Sequence, residues 1–347
     1  MPTPTPSVRW ILKGIVALLA LCICRPTLAQ SADAPENPAL RQIAALPLPG
    51  PAVRFDYQSF DADHGRLYIA HMNANQLVVF DVRSQKIVAN LDGFARVHGV
   101  LAVPQIDRVF ASATGNHQVN IVSMSTLKTL AVAGPVDYPD GLAYAPGVHR
   151  VFISDEHGGV DAVVDARTNQ LIARISLGGG AGNTVYDSGS GSILVAVHKL
   201  NQLAVIDPVS MKIVERYPLA GVDDPHGIAL DSSNNLAFIA GEGNHTLAVF
   251  DLHAKKLLAM YPVGDDPDVL AFDPGLMRLY VSAESGVVTV FQESHRKLTQ
   301  LAQFQMPHAH TVAVDPRTHL VYFPLENIDG RPLLHIMEPI VEPVARH

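Results

Sequence analysis

The stretch His226-Gly227-Ile228-Ala229-Leu230-Asp231 is one of seven variants of a single pattern. The others are DYQSFD from Asp56, HGVLAV from His98, DGLAYA from Asp140, NTVYDS from Asn183, DVLAFD from Asp268 and HTVAVD from His310. Each opens on a polar residue, all but DYQSFD place an apolar residue third or fourth, and most run into a turn-forming Asp or Pro. Successive openings lie 42, 42, 43, 43, 42 and 42 residues apart. A period this steady marks a repeat architecture, in which one supersecondary unit packs against copies of itself.

Within a unit, four short apolar runs are separated by turn residues. In the fifth unit they fall at roughly 227–230, 236–240, 246–250 and 256–263. The second run alternates apolar and aromatic residues, as in LYIAH from Leu67, VFISD from Val151 and LYVSA from Leu279. The third ends in a recurring Asp (Asp81, Asp165, Asp207, Asp251), expected to accept backbone N–H groups of the next turn. Helix-period patterning is scarce, while Gly and Pro number 25 each, so the composition reads as all-β. Four antiparallel strands cannot bury both faces of their sheet alone, but copies arranged radially can. The predicted fold is one all-β domain over residues 41–347, a seven-bladed β-propeller with four-stranded antiparallel blades. RQIAALPLPG at 41–50 is similar to KIVERYPLAG at 212–221, a fourth strand of a repeat. This N-terminal strand is therefore expected to close the last blade.

Ahead of the repeats, Arg9 and Lys13 precede an apolar run over 15–23, and Thr27-Leu28-Ala29 follows. This pattern reads as a secretory signal peptide over 1–29, with a polar, disordered lead-in over 30–40. The run is shorter than the ~20 apolar residues of a membrane span. The two cysteines, Cys22 and Cys24, fall inside the signal, so the mature chain is expected to hold no disulfide and no thiolate metal site. The chain carries a formal charge of −8, and cleavage would remove three more cationic side chains. An acidic chain is a poor partner for nucleic acid or an anionic membrane. The expected location is periplasmic or secreted, with no membrane span after cleavage.

Several units carry Asn before the third strand, Val-Ile-Asp or a relative at its end, and Lys-Ile-Val in the fourth. Examples are Asn75 to Asp81 with Lys86-Ile87-Val88, Asn201 to Asp207 with Lys212-Ile213-Val214, and Asn244 to Asp251; Tyr68-Ile69-Ala70 matches the second strand. These units resemble the YVTN-type propeller repeat. The resemblance implies a propeller and leaves its function open, since the broader group spans surface-layer proteins, lactonase-like enzymes and reductase propeller domains. A covalent c-type haem is excluded because Cys-x-x-Cys-His is absent.

In propellers the first strand of each blade lines the central channel. The seven opening residues are thus expected to ring its mouth. His98, Asp140, His226, Asp268 and His310 form the candidate metal set, suited to zinc, copper, nickel or iron. Arg54, Asp56, Asn183, His71 and His198 are candidates for ligand binding, and Glu242 and Glu284 for general bases. Loops after the second strands, with Glu156 and Glu326 among them, add a polar layer on the same face. Each such residue alone also fits a structural role in tying blades together. Three readings follow: a protein binding a metal or small polar ligand, a metal-dependent lactonase or lyase, and a non-catalytic scaffold presenting its loop face to a protein.

Overall fold

A computed structural model describes residues 1–3 and 39–341. Residues 4–38, which hold nearly all of the expected signal peptide and lead-in, lie outside the described residues. The propeller lies within one compact unit, Asn37–His347. It consists of seven four-stranded antiparallel sheets. Among the described residues, no helix is long and apolar enough to cross a membrane.

Blade 5 runs Pro225–Asp231, Leu236–Gly241, Thr246–Asp251 and Lys256–Pro262, within two residues of the sequence expectation at each boundary. The turn-capping role of the recurring Asp residues is observed. Asp207 accepts the Val209 N–H at 3.0 Å, and Asp251 accepts those of His253 and Ala254 at 3.0 and 2.9 Å. Asp231 and Asp273 do the same at the ends of first strands.

Seven apolar cores lie between neighbouring blades. Phe250, Ile239 and Ile228 of blade 5, for example, pack with Leu203 and Tyr217 of blade 4. Each fully buried Phe or Ile contributes about 1.5–3 kcal/mol relative to exposure. These cores bind blade to blade, so the ring must close to bury the last one. Leu40–Pro47 provides that closure by pairing antiparallel with Arg331–Pro339 as the outer strand of blade 7. Strand and burial begin slightly before the expected boundary at 41, with Ala39 and Leu40 both buried. Arg278 of blade 6 fastens this seam, donating to the carbonyl of Ile340 at 2.6 Å and of Ala39 at 3.4 Å.

The first strands bulge where the repeat pattern opens. In blade 5 Pro225 pairs with Gly241 and Ile228 with Ile239, so His226 and Gly227 together face Ala240. Blades 2, 3, 4 and 6 show the same irregularity at His98, Asp140, Asn183 and Asp268. A bulge re-aims a side chain away from its regular pleat direction. The glycine after His226 has its own cause, since a Cβ on Gly227 would lie 1.9 Å from the carbonyl oxygen of Asp268 in the next blade. In blades 1 and 7 the first strands begin late, at Gln58 and Ala313, so Asp56 and His310 precede the ladder. Asp56 is still anchored, its N–H donating to the Ala70 carbonyl at 2.8 Å.

Candidate binding site at the channel mouth

Above the bulges, each loop after a second strand carries one residue at a common register position, and four of the seven line the mouth. These residues are Met72, Thr114, Glu156, His198, Glu242, Glu284 and Glu326, again spaced by about one repeat. Backbone hydrogen bonds fix several of them over the preceding link. The Glu156 N–H donates to the Tyr138 carbonyl at 3.1 Å, Glu242 to Asp224 at 3.1 Å and Glu284 to Asp266 at 2.8 Å. A third tier comes from residues two before each opening position, including Arg54, Arg96, Tyr138 and Asp266. Side chains of the three tiers enclose a cavity of about 260 Å³.

The cavity gathers Asp56, His98, Asp140, His226 and Asp268 of the expected ring, with Glu242, Glu284 and Arg54. His310 is buried beside them, and one of its ring nitrogens lies within 4.8 Å of carboxylate oxygens of Asp56 and Asp268. Two expected members sit elsewhere. Asn183 lines the channel below, with Tyr57, Gln58 and Thr184, and its Oδ1 accepts the Thr184 N–H. His71 is fully buried and stacks on Phe55, ring centroids 4.0 Å apart. His198 stands at the edge, its ring 5.1 Å from that of His226 in a T-shaped arrangement.

Contacts reach across the ring as well as around it. His226 Nε2 lies 3.4 Å from Asp140 Oδ2, blade 5 to blade 3, and its Nδ1 makes a short hydrogen bond to Glu242. Arg54 of blade 1 pairs with Glu284 of blade 6, spanning the position of blade 7. The Tyr57 hydroxyl donates to Asp268 at 3.4 Å over the same span. His98 donates from Nδ1 to the Arg96 carbonyl at 2.7 Å. That bond leaves Nε2 as the acceptor, 3.0 Å from the Tyr138 hydroxyl and 3.9 Å from Asp56.

Crowding of carboxylates in a dry site sets the protonation pattern. Burial, reinforced by Asp140, pushes the Asp56 carboxyl up to about 8, and burial holds Asp268 well above the usual carboxylate range. Burial also raises Glu156, with Asp140 adding to it, and raises Asp266 and Glu284, the last opposed by Arg54. His226 behaves oppositely. Its burial favours the neutral ring, but the charge of Glu242 and the bonds to Asp140 and Glu242 outweigh that and raise it well above the ordinary imidazole value. For Asp140 the burial penalty is outweighed by His226, and its carboxyl falls below the usual range. Burial and the nearby Arg54 bring His310 down to about 3, while burial lowers His98 and His198. Neutral imidazoles beside carboxylates are metal-ligand chemistry.

Sequence reasoning missed Arg96, Tyr138, Asp266 and Tyr57, all in the cavity wall. The register that singled out Arg54, two before the opening residue, also marks Arg96, Tyr138 and Asp266.

No family model matches the chain, so the YVTN-type likeness stands on the repeat residues alone. Antigen Lp49 of Leptospira interrogans serogroup Icterohaemorrhagiae serovar copenhageni is 20% identical over 221 residues, 63% of this chain. That match spans 40% of the antigen's length. A chain of the solved structure of Kuenenia stuttgartiensis hydrazine synthase superposes with a TM-score of 0.70 at 15% identity, covering 86% of this chain and 97% of its own length. A chain of the mitotic checkpoint complex crystal structure gives 0.73 at 14% identity, covering 94% and 99%. Identities this low show the shared fold, a seven-bladed propeller, and leave function to the site.

Proposed function

We propose that this protein binds a divalent transition-metal ion at the channel mouth, with Asp56, Asp268 and His310 as its anchoring ligands. One observation carries the reading: His310 Nε2 is buried with no hydrogen-bond partner, in a ring packed against two carboxylates. A buried polar atom left unpaired costs about 1–3 kcal/mol, which a coordinated ion would offset. Burial keeps the His310 lone pair free, and the raised Asp56 and Asp268 carboxyls give up their protons to solvent as the ion binds. A set of two oxygens and one nitrogen suits zinc, nickel, copper or iron. His98, bonded through Nδ1 to a backbone carbonyl, presents Nε2 beside Asp56 and supports the same centre.

A metal-dependent hydrolase or lyase would need a free base near the ion. Glu284 is engaged by Arg54 and Glu242 by His226, which favours binding over catalysis for this site. Export to the periplasm or beyond belongs to the same proposal, resting on the N-terminal sequence pattern. The test is calorimetric titration of untagged, chelator-stripped protein with Zn²⁺, Ni²⁺ and Cu²⁺. Saturable binding with a Kd of about 10 µM or tighter is expected, and His310→Ala should lose the component of that heat that belongs to the Asp56, Asp268 and His310 centre, with the β-sheet circular dichroism intact. No saturable heat with any of the three ions would sink the proposal.

A further inference from the structure

We infer that the mouth offers two adjacent metal positions: the centre above and a second one formed by His198, His226 and Glu242, with Asp268 between them. This inference rests on the proposed binding of metal by the mouth and adds a second ion to it. Ligand atoms of His198, His226 and Glu242 lie within 4.8 Å of one another, as do those of Asp56, Asp268 and His310. The two groups share no residue, yet they adjoin, because Asp268 Oδ1 lies 3.5 Å from His226 Nδ1. A carboxylate so placed can bridge two cations, and two-metal sites hold their ions about 3.5–4 Å apart.

The second position has its own supporting geometry. His198 Nε2 is buried and has no hydrogen-bond partner, the same condition as His310 Nε2 in the first position. Gly182, at the bulge of blade 4, keeps the space beside it open, since a Cβ there would lie 2.9 Å from His198 Nε2. His226 presents Nδ1 toward Glu242 and Asp268, while its Nε2 faces Asp140. A carboxylate on the far nitrogen of a ligating imidazole fixes ring orientation and strengthens the donor. Asp140 thereby orients a ligand and is not itself one. Coordination at this position replaces the Nδ1 proton that His226 shares with Glu242 by the ion, the proton leaving to solvent, so that the hydrogen bond gives way to two bonds to the metal.

The two positions differ in donor type. Two nitrogens and one oxygen at the second favour zinc, copper or nickel, while the oxygen-richer first position also accepts harder ions.

The experiment is metal stoichiometry after equilibrium dialysis of the untagged chain against Zn²⁺, read by plasma mass spectrometry. Wild-type protein is expected to hold two ions, and His198→Ala and Glu242→Gln one each. His310→Ala is expected to retain one, at the other position. A parallel measurement needs no variant: Cu²⁺ at two equivalents should give an electron paramagnetic resonance spectrum broadened by dipolar coupling between neighbouring ions, absent at one equivalent. One ion in wild type, unchanged in His198→Ala, would overturn the second position and leave the first standing. Two uncoupled copper signals would also overturn the paired arrangement. No bound ion in wild type would overturn both proposals.

Discussion

His226 and Asp140 meet across the channel, Nε2 to Oδ2 at 3.4 Å, although blade 4 stands between their blades. The contact shows that the mouth is a compact cluster more than an evenly spaced ring. Both groups are largely buried, with side-chain exposures of 12% and 4%. Removing one partner of a buried pair strands the other. His226→Asn is therefore expected to destabilise the fold by about 3 kcal/mol at neutral pH. The double variant with Asp140→Asn should recover part of that loss. A double-mutant cycle by urea denaturation measures the coupling, and strictly additive losses would show that the two side chains do not interact.

A second buried acid lies away from the mouth. Asp161, in the third strand of blade 3, is fully buried, and neither carboxylate oxygen makes a hydrogen bond of ordinary geometry. Burial raises it from 3.8 to about 7, against the opposing pull of Thr184 and the Ile153 backbone. Because the folded state binds this proton more tightly than the unfolded state, the contribution to stability is complete below about pH 4. It is lost as pH rises toward 7. The loss amounts to up to about 4 kcal/mol. Wild-type and Asp161→Asn melting curves should diverge between pH 4 and 7, the wild type falling relative to the variant. A constant difference over that range would contradict the assignment.

The glycine after the opening residue is a packing requirement. Gly227→Ala places a methyl group 1.9 Å from the Asp268 carbonyl and is expected to cost about 3 kcal/mol or more. Gly147→Ala, with nothing within 4 Å of the new methyl, should change stability by less than about 1 kcal/mol. Denaturation midpoints of the two variants check the contrast, and equal effects would count against close blade approach at the mouth.

Arg54 sets the electrostatics of the cavity. Its guanidinium pairs with Glu284 and lies near enough to Asp56 and Asp268 for their charges to act on it. A fixed cation beside a metal position repels the incoming ion. Arg54→Gln is therefore expected to tighten divalent-metal binding about tenfold, a change of ~1.4 kcal/mol. Calorimetry reads the affinity directly, and weaker binding would assign Arg54 to holding the ligands in place.

The blades were legible because their cause is local. Turn chemistry at Asp207 and Asp251, alternation within strands and the constant step between openings all survive in one sequence. The same ruler marks the loop positions from Met72 to Glu326, but residues as different as Met, Thr, His and Glu obscure that register until the backbone bonds of Glu156, Glu242 and Glu284 reveal it. Arg96 and Tyr138 follow from the offset of Arg54. The withdrawal of Asn183 below the mouth and the reach of His226 to Asp140 were not legible. Both depend on channel width and side-chain direction, which no spacing along the chain encodes.

Anomalous diffraction would locate a bound ion at the channel mouth without reference to affinity or stoichiometry. Crystals of untagged protein soaked in a zinc salt and recorded at the zinc absorption edge should show a peak about 2.0–2.2 Å from a ring nitrogen of His310 and carboxylate oxygens of Asp56 and Asp268. A map with no peak at the channel mouth, or with zinc bound only at surface histidines, would contradict the proposed centre.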